Sequence, residues 1–222
     1  MRSEALPHVT TVLGHVRLNS ETFELICSRP EGFQFVAGQH VTLSYGGEER
    51  EYTILSPPKT PELRFLIKRV AGGALSNALG ELAPGVLLGI SKAKGYLIYR
   101  PTDRPVYFVA TGVGIAPFVA MAAAGVTGFT LIHGTREVSG LLYRRELTLA
   151  ANRYIPCLSG AIRPGTALLD LHRGYVTDYV DRHIKPGLYD FYLCGARAMI
   201  HDMTHILDQH YPGTRIYSEA YS

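Results

Sequence analysis

The sequence contains few cysteines and no closely spaced pair of them. Cys27, Cys157 and Cys194 are the three cysteines in 222 residues, and no Cys-x-x-Cys pair occurs. An odd number of widely separated thiols indicates neither a disulfide framework nor a zinc site. Three cysteines are also too few for this chain alone to hold a four-cysteine iron-sulfur cluster. The sequence therefore indicates neither a disulfide framework nor a zinc site, and it excludes a four-cysteine cluster built into this chain.

Long apolar runs and a strong net charge are missing as well. No stretch approaches the roughly 20 apolar residues of a membrane-spanning helix. The opening segment MRSEALPHV lacks the apolar core of a secretory signal. We therefore expect a soluble, cytoplasmic protein with no membrane segment. The formal net charge of +3 is too small to indicate nucleic-acid binding, but it would suit docking to a small acidic protein. The sequence does not specify an oligomeric state.

The first half of the chain, residues 1–100, has the pattern of a β-domain. Short β-type runs alternate with turns rich in glycine and proline. This spacing predicts an antiparallel six-stranded β-barrel. In the fifth run, Leu63, Phe65 and Ile67 alternate with polar residues and should face the barrel core. The predicted strands are 8–13, 22–28, 40–45, 51–55, 63–70 and 86–91.

After a linker at 99–105 the pattern changes, and strands alternate with helices through residues 104–222. This alternation predicts a second domain, an α/β doubly wound parallel sheet. Ligands of such sheets bind beyond the carboxyl ends of the strands. The predicted strands are 106–110, 129–133, 154–158, 190–194 and 215–218, and the predicted helices are 116–124, 141–150, 176–184 and 196–209.

One strand of the first half carries side chains suited to a flavin. Arg50, Tyr52 and Thr53 supply a cation, an aromatic ring and a hydroxyl, and the two-residue period of a strand puts Arg50 and Tyr52 on one face. A guanidinium suits a diphosphate, a phenol ring can lie on a planar ring system, and a hydroxyl can bond a ring nitrogen. Taken alone, the stretch fits an ordinary edge strand better. The rest of the chain reverses that preference.

Two glycine-containing turns precede predicted helices. Gly72 and Gly73 come before the short helical pattern at 74–79, and the run 111–114 follows the first strand of the second half. The free amides of a helix's first turn bind phosphate groups. The second turn is where a dinucleotide diphosphate would bind, although Pro117 stands near the third glycine position of the Gly-x-Gly-x-x-Gly fingerprint. A plain β-to-α turn, capped by Ser76 in the first case, stays open as the alternative for each.

The histidines do not indicate a metal site. His201 and His205 lie one helical turn apart, which is the spacing of a metal-binding pair. No carboxylate or cysteine completes a ligand set around them, and histidine pairs on helices are commonly solvated. We therefore predict no metal.

Seven motifs in order resemble the ferredoxin-NADP reductase family, in its bacterial ferredoxin and flavodoxin reductase form. The resemblance covers nearly the whole chain. It implies a barrel that binds FAD, a second domain that binds NAD(P)H, and hydride transfer between nicotinamide and flavin. The motifs are RxYT at 50–53, GGALS at 72–76, ATGVGIAP at 110–117, HGTRE at 133–137, CLS at 157–159, YLCGARAMI at 192–200 and SEAYS at 218–222.

The resemblance also implies roles for individual residues. Arg50 would bind the flavin diphosphate and Tyr52 would pack on the isoalloxazine ring. Thr53, Cys194 and Glu219 would act as the catalytic residues that place nicotinamide against flavin, and Tyr221 would lie on the opposite flavin face. The implied cofactor-binding residues are Arg50, Glu51, Tyr52, Thr53, Gly73, Ala74, Leu75, Ser76, Thr111, Gly112, Val113, Gly114, Pro117, Arg136, Ser159, Gly195, Met199 and Tyr221.

Coenzyme recognition departs from the family pattern. Members that prefer NADP often have Arg after the serine matched by Ser159, and again at the start of the next helix. Gly160 and Tyr179 stand at those places here. Arg136 remains, with Arg163 as a possible substitute. The motifs therefore predict a depleted site for the 2′-phosphate of NADPH.

The implied function is electron transfer between NAD(P)H and a one-electron carrier. Because the chain has no cluster of its own, the electrons must pass to another molecule, and an acidic ferredoxin or flavodoxin is the expected partner. An NAD(P)H-flavin reductase and the reductase component of an oxygenase are the alternatives among enzymes. A flavin-binding partner subunit or sensor is the alternative outside enzymes.

Overall fold

The computed structural model describes residues 6–162, 165, 166 and 168–221, without the side chain of Tyr221. The chain forms two compact units, Met1–Ile98 and Tyr99–Ser222. In the described part of the chain, no helix has both the length and the apolar character needed to cross a membrane.

The first unit is a six-stranded antiparallel sheet that nearly closes into a barrel, as predicted. Its strand order is β4-β3-β6-β1-β2-β5. An antiparallel bridge between Ile54 and Phe65 joins the two ends of this order, and the Leu55 N–H donates to the Arg64 carbonyl at 2.8 Å. The elements are β1 (His8–Arg17), β2 (Thr22–Ser28), β3 (His40–Tyr45), β4 (Glu48–Thr53), β5 (Glu62–Lys68), α1 (Ala74–Leu79) and β6 (Leu87–Ile90).

The barrel core forms where the alternation of β5 places it. Leu63, Phe65 and Ile67 are all fully buried, which confirms the predicted inward face. The fourth strand begins earlier than predicted, at Glu48, because Gly46 and Gly47 both have positive φ and make a two-residue hairpin turn. The glycine pair is visible in the sequence, but the charged residues that follow it lack the alternation of apolar and polar residues by which a strand is recognised.

The second unit is a six-stranded parallel sheet with the predicted α/β order. Its strands lie in the order β10-β9-β8-β7-β11-β12. The strands are β7 (Val106–Thr111), β8 (Thr130–Thr135), β9 (Arg153–Leu158), β10 (His172–Arg173), β11 (Asp190–Ala196) and β12 (Arg215–Tyr221). The helices are α2 (Ala116–Ala123), α3 (Arg144–Ala150), α4 (Val176–His183) and α5 (Arg197–His210), with 3-10 turns at Gly112–Ile115 and Val138–Gly140.

Two differences from the prediction in this unit have local causes. The strand β10 contains only His172 and Arg173, which is too short to show any periodicity. The helix α3 begins at Arg144 instead of residue 141, because Tyr143 has a left-handed φ of 53° and cannot belong to a right-handed helix.

Replacing Phe65 with alanine tests the closure of the barrel. Phe65 is fully buried and pairs with Ile54 across the closing bridge. We expect Phe65→Ala to lower the free energy of unfolding of the first unit by about 3 to 5 kcal/mol in urea denaturation. Leu13→Ala is the control, since Leu13 is 45% exposed. Equal losses in the two variants would contradict the assignment of Phe65 to the core.

Candidate flavin and coenzyme sites

The strand β4 presents Arg50 and Tyr52 on the same face. They pair with Leu43 and Val41 of β3, respectively. Tyr52 is half-buried and packs against the barrel core, and burial raises the pKa of its phenol to about 12. The Arg50 guanidinium donates to the neighbouring Glu49 carbonyl at 2.6 Å, and its side chain is 61% exposed. This face thus presents an accessible cation beside a neutral aromatic ring that is packed against the barrel core.

Glu51 and Thr53 lie on the other face of β4. The Glu51 carboxylate is 2.5 Å from the Lys94 ammonium and 3.7 Å from the His40 ring. The hydrogen bond from Lys94 lowers the pKa of Glu51. Thr53 is only 3% exposed and pairs with His40. The Glu51 ion pair thus connects this end of β4 to the segment that carries Lys94. A direct contact between Glu51 and a flavin stays a prediction.

The turn before α1 is held by side chains of the helix itself. The Asn77 amide donates to the carbonyls of Val70 and Gly73 at 3.0 and 2.7 Å. The Ser76 hydroxyl accepts the Val70 N–H at 3.3 Å, so it braces the turn and does not cap the helix. Gly73 is the N-cap residue, and no side chain of the described residues caps the helix there. The first-turn amides of Ala74 and Leu75 thus lie in an uncapped helix start.

Asn77 is a residue that motif reading missed. Its two hydrogen bonds fix the turn that the flavin phosphates would approach. The available signal was an asparagine one helical turn after a glycine pair, where asparagine is a poor helix former and commonly bonds nearby backbone.

In the second unit, the turn after β7 lies directly against the end of β11. A Cβ atom on Gly114 would overlap the carbonyl of Cys194, and a Cβ atom on Gly195 would overlap the Thr111 hydroxyl. That hydroxyl accepts the Ala196 N–H at 3.0 Å. Gly195 also has a φ of +140°. Glycine is therefore required at both positions, and the ends of β7 and β11 are held in direct contact.

The turn after β7 leads directly into α2. Gly112 has a φ of +55° and opens the 3-10 turn that runs to Ile115. Pro117 lies in the first helical turn of α2, where its fixed φ suits a helix start and its missing N–H costs nothing. Val113 is half-buried within the turn. The predicted Gly-x-Gly segment thus forms a tight β-to-α connection at the carboxyl edge of the sheet.

The predicted nicotinamide residues meet at this edge. Cys194 pairs with Ala110 on one side and with Glu219 on the other. Cys194 is fully buried and forms no disulfide, while Glu219 is half-buried. Met199 is buried in the first turn of α5. The backbone of Tyr221 continues β12 beside Ala196, but its side chain lies outside the described residues.

The predicted ribose-side residues lie at the ends of β8 and β9. Arg136 and Ser159 are both exposed. The Ser159 N–H donates to the Thr135 carbonyl and the Gly160 N–H donates to the Arg136 carbonyl, each at 3.0 Å. Arg163, the other cation named above, lies outside the described residues.

Tyr179, the residue at the second of the expected arginine positions, is the fourth residue of α4. The helix α4 begins at Val176, and its N-cap is Tyr175. Tyr179 lies one turn inside the helix, where its ring packs against His172 and His183 with centroid distances of 5.4 and 4.8 Å. Tyr175, the N-cap residue, is 65% exposed.

His133 begins the HGTRE motif, but the motif assigned no role to it. Its ring is fully buried, with Nδ1 2.9 Å from the Tyr154 hydroxyl and Nε2 3.4 Å from the Gly112 carbonyl. Burial lowers the pKa of His133 to about 4. The ring is therefore neutral: its Nε2–H donates to the Gly112 carbonyl and its Nδ1 accepts the Tyr154 hydroxyl. These bonds hold the turn at Gly112, where the coenzyme diphosphate is predicted to bind.

The comparisons with known proteins divide the chain at the same place. Residues 11–99 match the model of the oxidoreductase FAD-binding domain, and residues 108–205 match that of the oxidoreductase NAD-binding domain. The chain belongs to the oxidoreductases that join an FAD-binding domain to an NAD-binding domain. It thus contains one domain for each of the two cofactors that the resemblance implied.

The proteins similar to this chain differ in their named roles. The chain is 36% identical over 141 residues to ferredoxin-NADP reductase B of Sorangium cellulosum, with 58% of each protein covered. It is 32% identical over 180 residues to the toluate 1,2-dioxygenase electron transfer component of Pseudomonas putida. That match covers 75% of this chain and 52% of the relative. The chain thus spans between half and three fifths of the length of these two relatives.

A solved structure confirms the two-domain fold. A ferredoxin NADP+ reductase from Neisseria gonorrhoeae with bound FAD and NADP is similar to this chain with a TM-score of 0.81 and 20% identity. The match covers 96% of this chain and 98% of that one.

The residues present fit both cofactors. For FAD, the first unit offers the exposed Arg50, the supported Tyr52 ring and an uncapped helix start after Gly73. For NAD(P)H, the second unit offers the turn at Gly112 and an exposed cation and hydroxyl beside it. These are the donor types that diphosphates, planar rings and riboses require.

Replacing Gly114 with alanine tests the contact between the two strand ends. The added methyl group would overlap backbone atoms of β11, which cannot rotate away as a side chain can. We expect Gly114→Ala to destabilise the second unit by about 3 kcal/mol in urea denaturation and to weaken coenzyme binding. Gly14→Ala is the control, since no atom lies within 4 Å of its Cβ position. A wild-type unfolding curve for Gly114→Ala would show that the turn has room to move.

The burial of His133 predicts a stability loss in acid. Its pKa is about 4 in the folded chain against an ordinary 6.5, so between these values the unfolded chain binds more protons. Stability should therefore fall as the pH drops from 6.5 toward 4, by on the order of 3 kcal/mol for this ring.

The measurement is the urea midpoint of the second unit at several pH values. His133→Gln should be less stable than wild type at neutral pH but should lose less stability on acidification. Parallel pH profiles in the two proteins would contradict this assignment to His133.

Proposed function

We propose that this chain is an NAD(P)H-dependent flavoprotein reductase that passes electrons to a one-electron carrier such as ferredoxin or flavodoxin. The observation that carries the proposal is the presence, in one chain, of a matched FAD-binding domain and a matched NAD-binding domain, each with the donors its cofactor needs. When bound, FAD supplies the chemistry that converts two-electron hydride transfer into one-electron steps. Three cysteines are too few for a four-cysteine cluster in these two domains, so the proposed electron path leaves them for a carrier outside.

The proposed work of the first unit is to bind and orient the flavin. Arg50 would neutralise the diphosphate, and the helix start after Gly73 would donate backbone N–H groups to it. The Tyr52 ring, held by the barrel core, would support the flavin ring while its phenol stays protonated. Thr53 follows Tyr52 at the end of β4 and is buried, and it is proposed to donate or accept a hydrogen bond at the ring edge.

The proposed work of the second unit is to position the coenzyme. The turn at Gly112 would receive the diphosphate, and Arg136 and Ser159 would contact the adenosine ribose. Cys194 and Glu219 are neighbours in register at the same edge, and we assign them to the nicotinamide end. None of these residues needs to form a covalent bond, because aligning donor and acceptor is sufficient for hydride transfer.

The relatives favour a second candidate, the reductase component of an oxygenase. The toluate 1,2-dioxygenase electron transfer component shares 32% identity over 180 residues. In that case the acceptor would be an oxygenase or its own ferredoxin instead of a general carrier. The two candidates use the same sites and differ only in the acceptor.

An anaerobic titration tests the proposed function. The purified protein, loaded with FAD, is titrated with NADH and with NADPH while flavin absorbance is followed, and then mixed with oxidised ferredoxin or flavodoxin. We expect bleaching by at least one coenzyme and reoxidation by a carrier. Bleaching that only an oxygenase component reverses would select the second candidate. No bleaching by either coenzyme would leave a flavin-binding subunit or sensor.

Replacing Arg50 with alanine should weaken flavin binding. A charge-assisted contact contributes about 1.5 to 3 kcal/mol, which corresponds to a Kd about 10- to 150-fold higher. Flavin fluorescence during dilution measures the Kd. Arg17→Ala is the control, because Arg17 is another exposed barrel arginine whose Nε donates to the local Asn19 carbonyl. An Arg50→Ala protein that retains FAD as firmly as wild type would exclude Arg50 from the site.

A further inference from the structure

We propose that Arg69 is a positioning residue for flavin binding, because its side chain holds the far end of α1 and so fixes the turn at 70–76. The inference rests on the proposed function, which assigns that turn to the flavin phosphates. None of the sequence motifs contains Arg69. Its backbone directly precedes the turn, whereas its guanidinium reaches Gly80, the residue that follows α1.

Arg69 closes the base of the segment that contains the turn and α1. Its N–H donates to the Glu21 carbonyl at 2.7 Å, which fixes its backbone beside the start of β2. Its guanidinium Nη2 donates to the Gly80 carbonyl at 2.9 Å. The segment 70–80 therefore leaves the barrel after Arg69 and is held again, at its other end, by the side chain of the same residue.

The carbonyls at the end of α1 are satisfied from outside the helix. The last carbonyls of a helix have no partner within it and carry a partial negative charge. Here the Leu79 carbonyl accepts the Nε2–H of His15 at 2.8 Å, and the Gly80 carbonyl accepts Arg69. A helix of six residues with no basic residue in its last turn has little stability of its own. These two donors therefore hold its end in place.

The turn itself is built on Val70, the residue after Arg69. The Val70 carbonyl accepts the Gly73 N–H at 2.9 Å and the Asn77 amide at 3.0 Å. The Val70 N–H donates to the Ser76 hydroxyl at 3.3 Å. A displacement of Arg69 would thus move both ends of the segment together.

Arg69 is suited to positioning and not to binding a phosphate. Its guanidinium already lies 2.5 Å from the Glu81 carboxylate, so a phosphate would have to displace that carboxylate. The guanidinium also lies over the Phe23 ring, 5.5 Å from its centroid. The side chain is 37% exposed and borders an open cavity of about 440 Å³. Hydrogen bonds, more than close packing, therefore determine where the guanidinium lies.

Gly80 provides the space that the guanidinium occupies. A Cβ atom at Gly80 would lie 2.6 Å from Nη2 and 2.7 Å from Cζ of Arg69. The backbone of Gly80, with φ −75° and ψ −8°, is open to any residue. The side chain of Arg69, and not the backbone, therefore excludes a larger residue here. Gly80→Ala would displace the guanidinium while leaving its charge in the protein.

Two flavins test the proposal on the full chain freed of bound flavin. FAD carries the diphosphate and riboflavin carries no phosphate, so only FAD requires the turn. We expect Arg69→Gln and Gly80→Ala each to raise the Kd of FAD about fivefold or more in fluorescence titrations, and that of riboflavin less than about twofold. The double variant should bind FAD about as well as Arg69→Gln alone, because both changes remove the same contact.

Two variants of the same barrel serve as matched controls. Arg17 borders the same cavity, and its Nε donates to the Asn19 carbonyl at 3.1 Å, so Arg17→Gln makes the same charge change without releasing α1. Gly14→Ala adds a methyl group where no atom lies within 4 Å. Neither control should change the Kd of FAD more than about twofold.

Four results would overturn the proposal. They are equal affinity of the unmodified chain for FAD and riboflavin, an unchanged FAD Kd in Gly80→Ala, equal weakening of both flavins in Arg69→Gln, and a loss in Arg17→Gln as large as that in Arg69→Gln. Flavin binding needs neither coenzyme nor carrier. A protein that shows the expected selective loss but is not bleached by NADH or NADPH would therefore reject the proposed function alone. A protein that is bleached but gives any of the four results would reject this inference alone.

Discussion

The second unit depends on one close backbone contact, that between the turn after β7 and the end of β11. Gly114 lies against the Cys194 carbonyl, and Gly195 lies against Thr111, with no room for a Cβ atom at either position. The atoms that face Gly114 are backbone atoms, and the Thr111 hydroxyl that faces Gly195 is held by the Ala196 N–H, so neither side can yield as a flexible side chain would. The turn that precedes α2 therefore has one position relative to the sheet. A phosphate site needs this property, since its N–H groups must already point at the ligand.

The rest of the second unit holds β11 in place for that contact. At the opposite edge of the sheet, the buried Asp190 carboxylate lies 3.8 Å from an Arg104 nitrogen and 3.6 Å from an Arg215 nitrogen. Removing a carboxylate from water is costly unless cations compensate it, so this end of β11 is fixed to the linker and to β12. At the coenzyme edge, the buried His133 ring supports the Gly112 carbonyl from β8. The strand is thus constrained at both ends.

The sequence predicted the features that depend on local pattern. The inward face of β5, with Leu63 and Phe65, follows from alternation along one strand. The features it missed depend on partners distant in the chain. His133 gives no sign in the sequence that its ring will be buried against Tyr154, and Tyr143 gives none that its φ will be positive. Several assigned roles, including those of Cys194 and Glu219, agree in position with the sheet edge but stay predictions as to what they contact.

Coenzyme recognition shows why counting motif positions can understate a site. A motif assigns a cation to a place along the chain, whereas a phosphate responds to charge in space. In a parallel sheet, a row of register connects residues far apart in sequence, and Thr135, Leu158 and Arg173 form such a row. A cation beside the end of β9 comes from β8, because Arg136 follows Thr135 and its carbonyl accepts the Gly160 N–H at 3.0 Å. A Cβ atom at Gly160 would lie 2.5 Å from the Arg136 carbonyl oxygen and 3.0 Å from its Cγ, so Arg136 covers the place where a side chain at position 160 would begin. The absence of an arginine at 160 therefore does not by itself remove the charge that a 2′-phosphate requires.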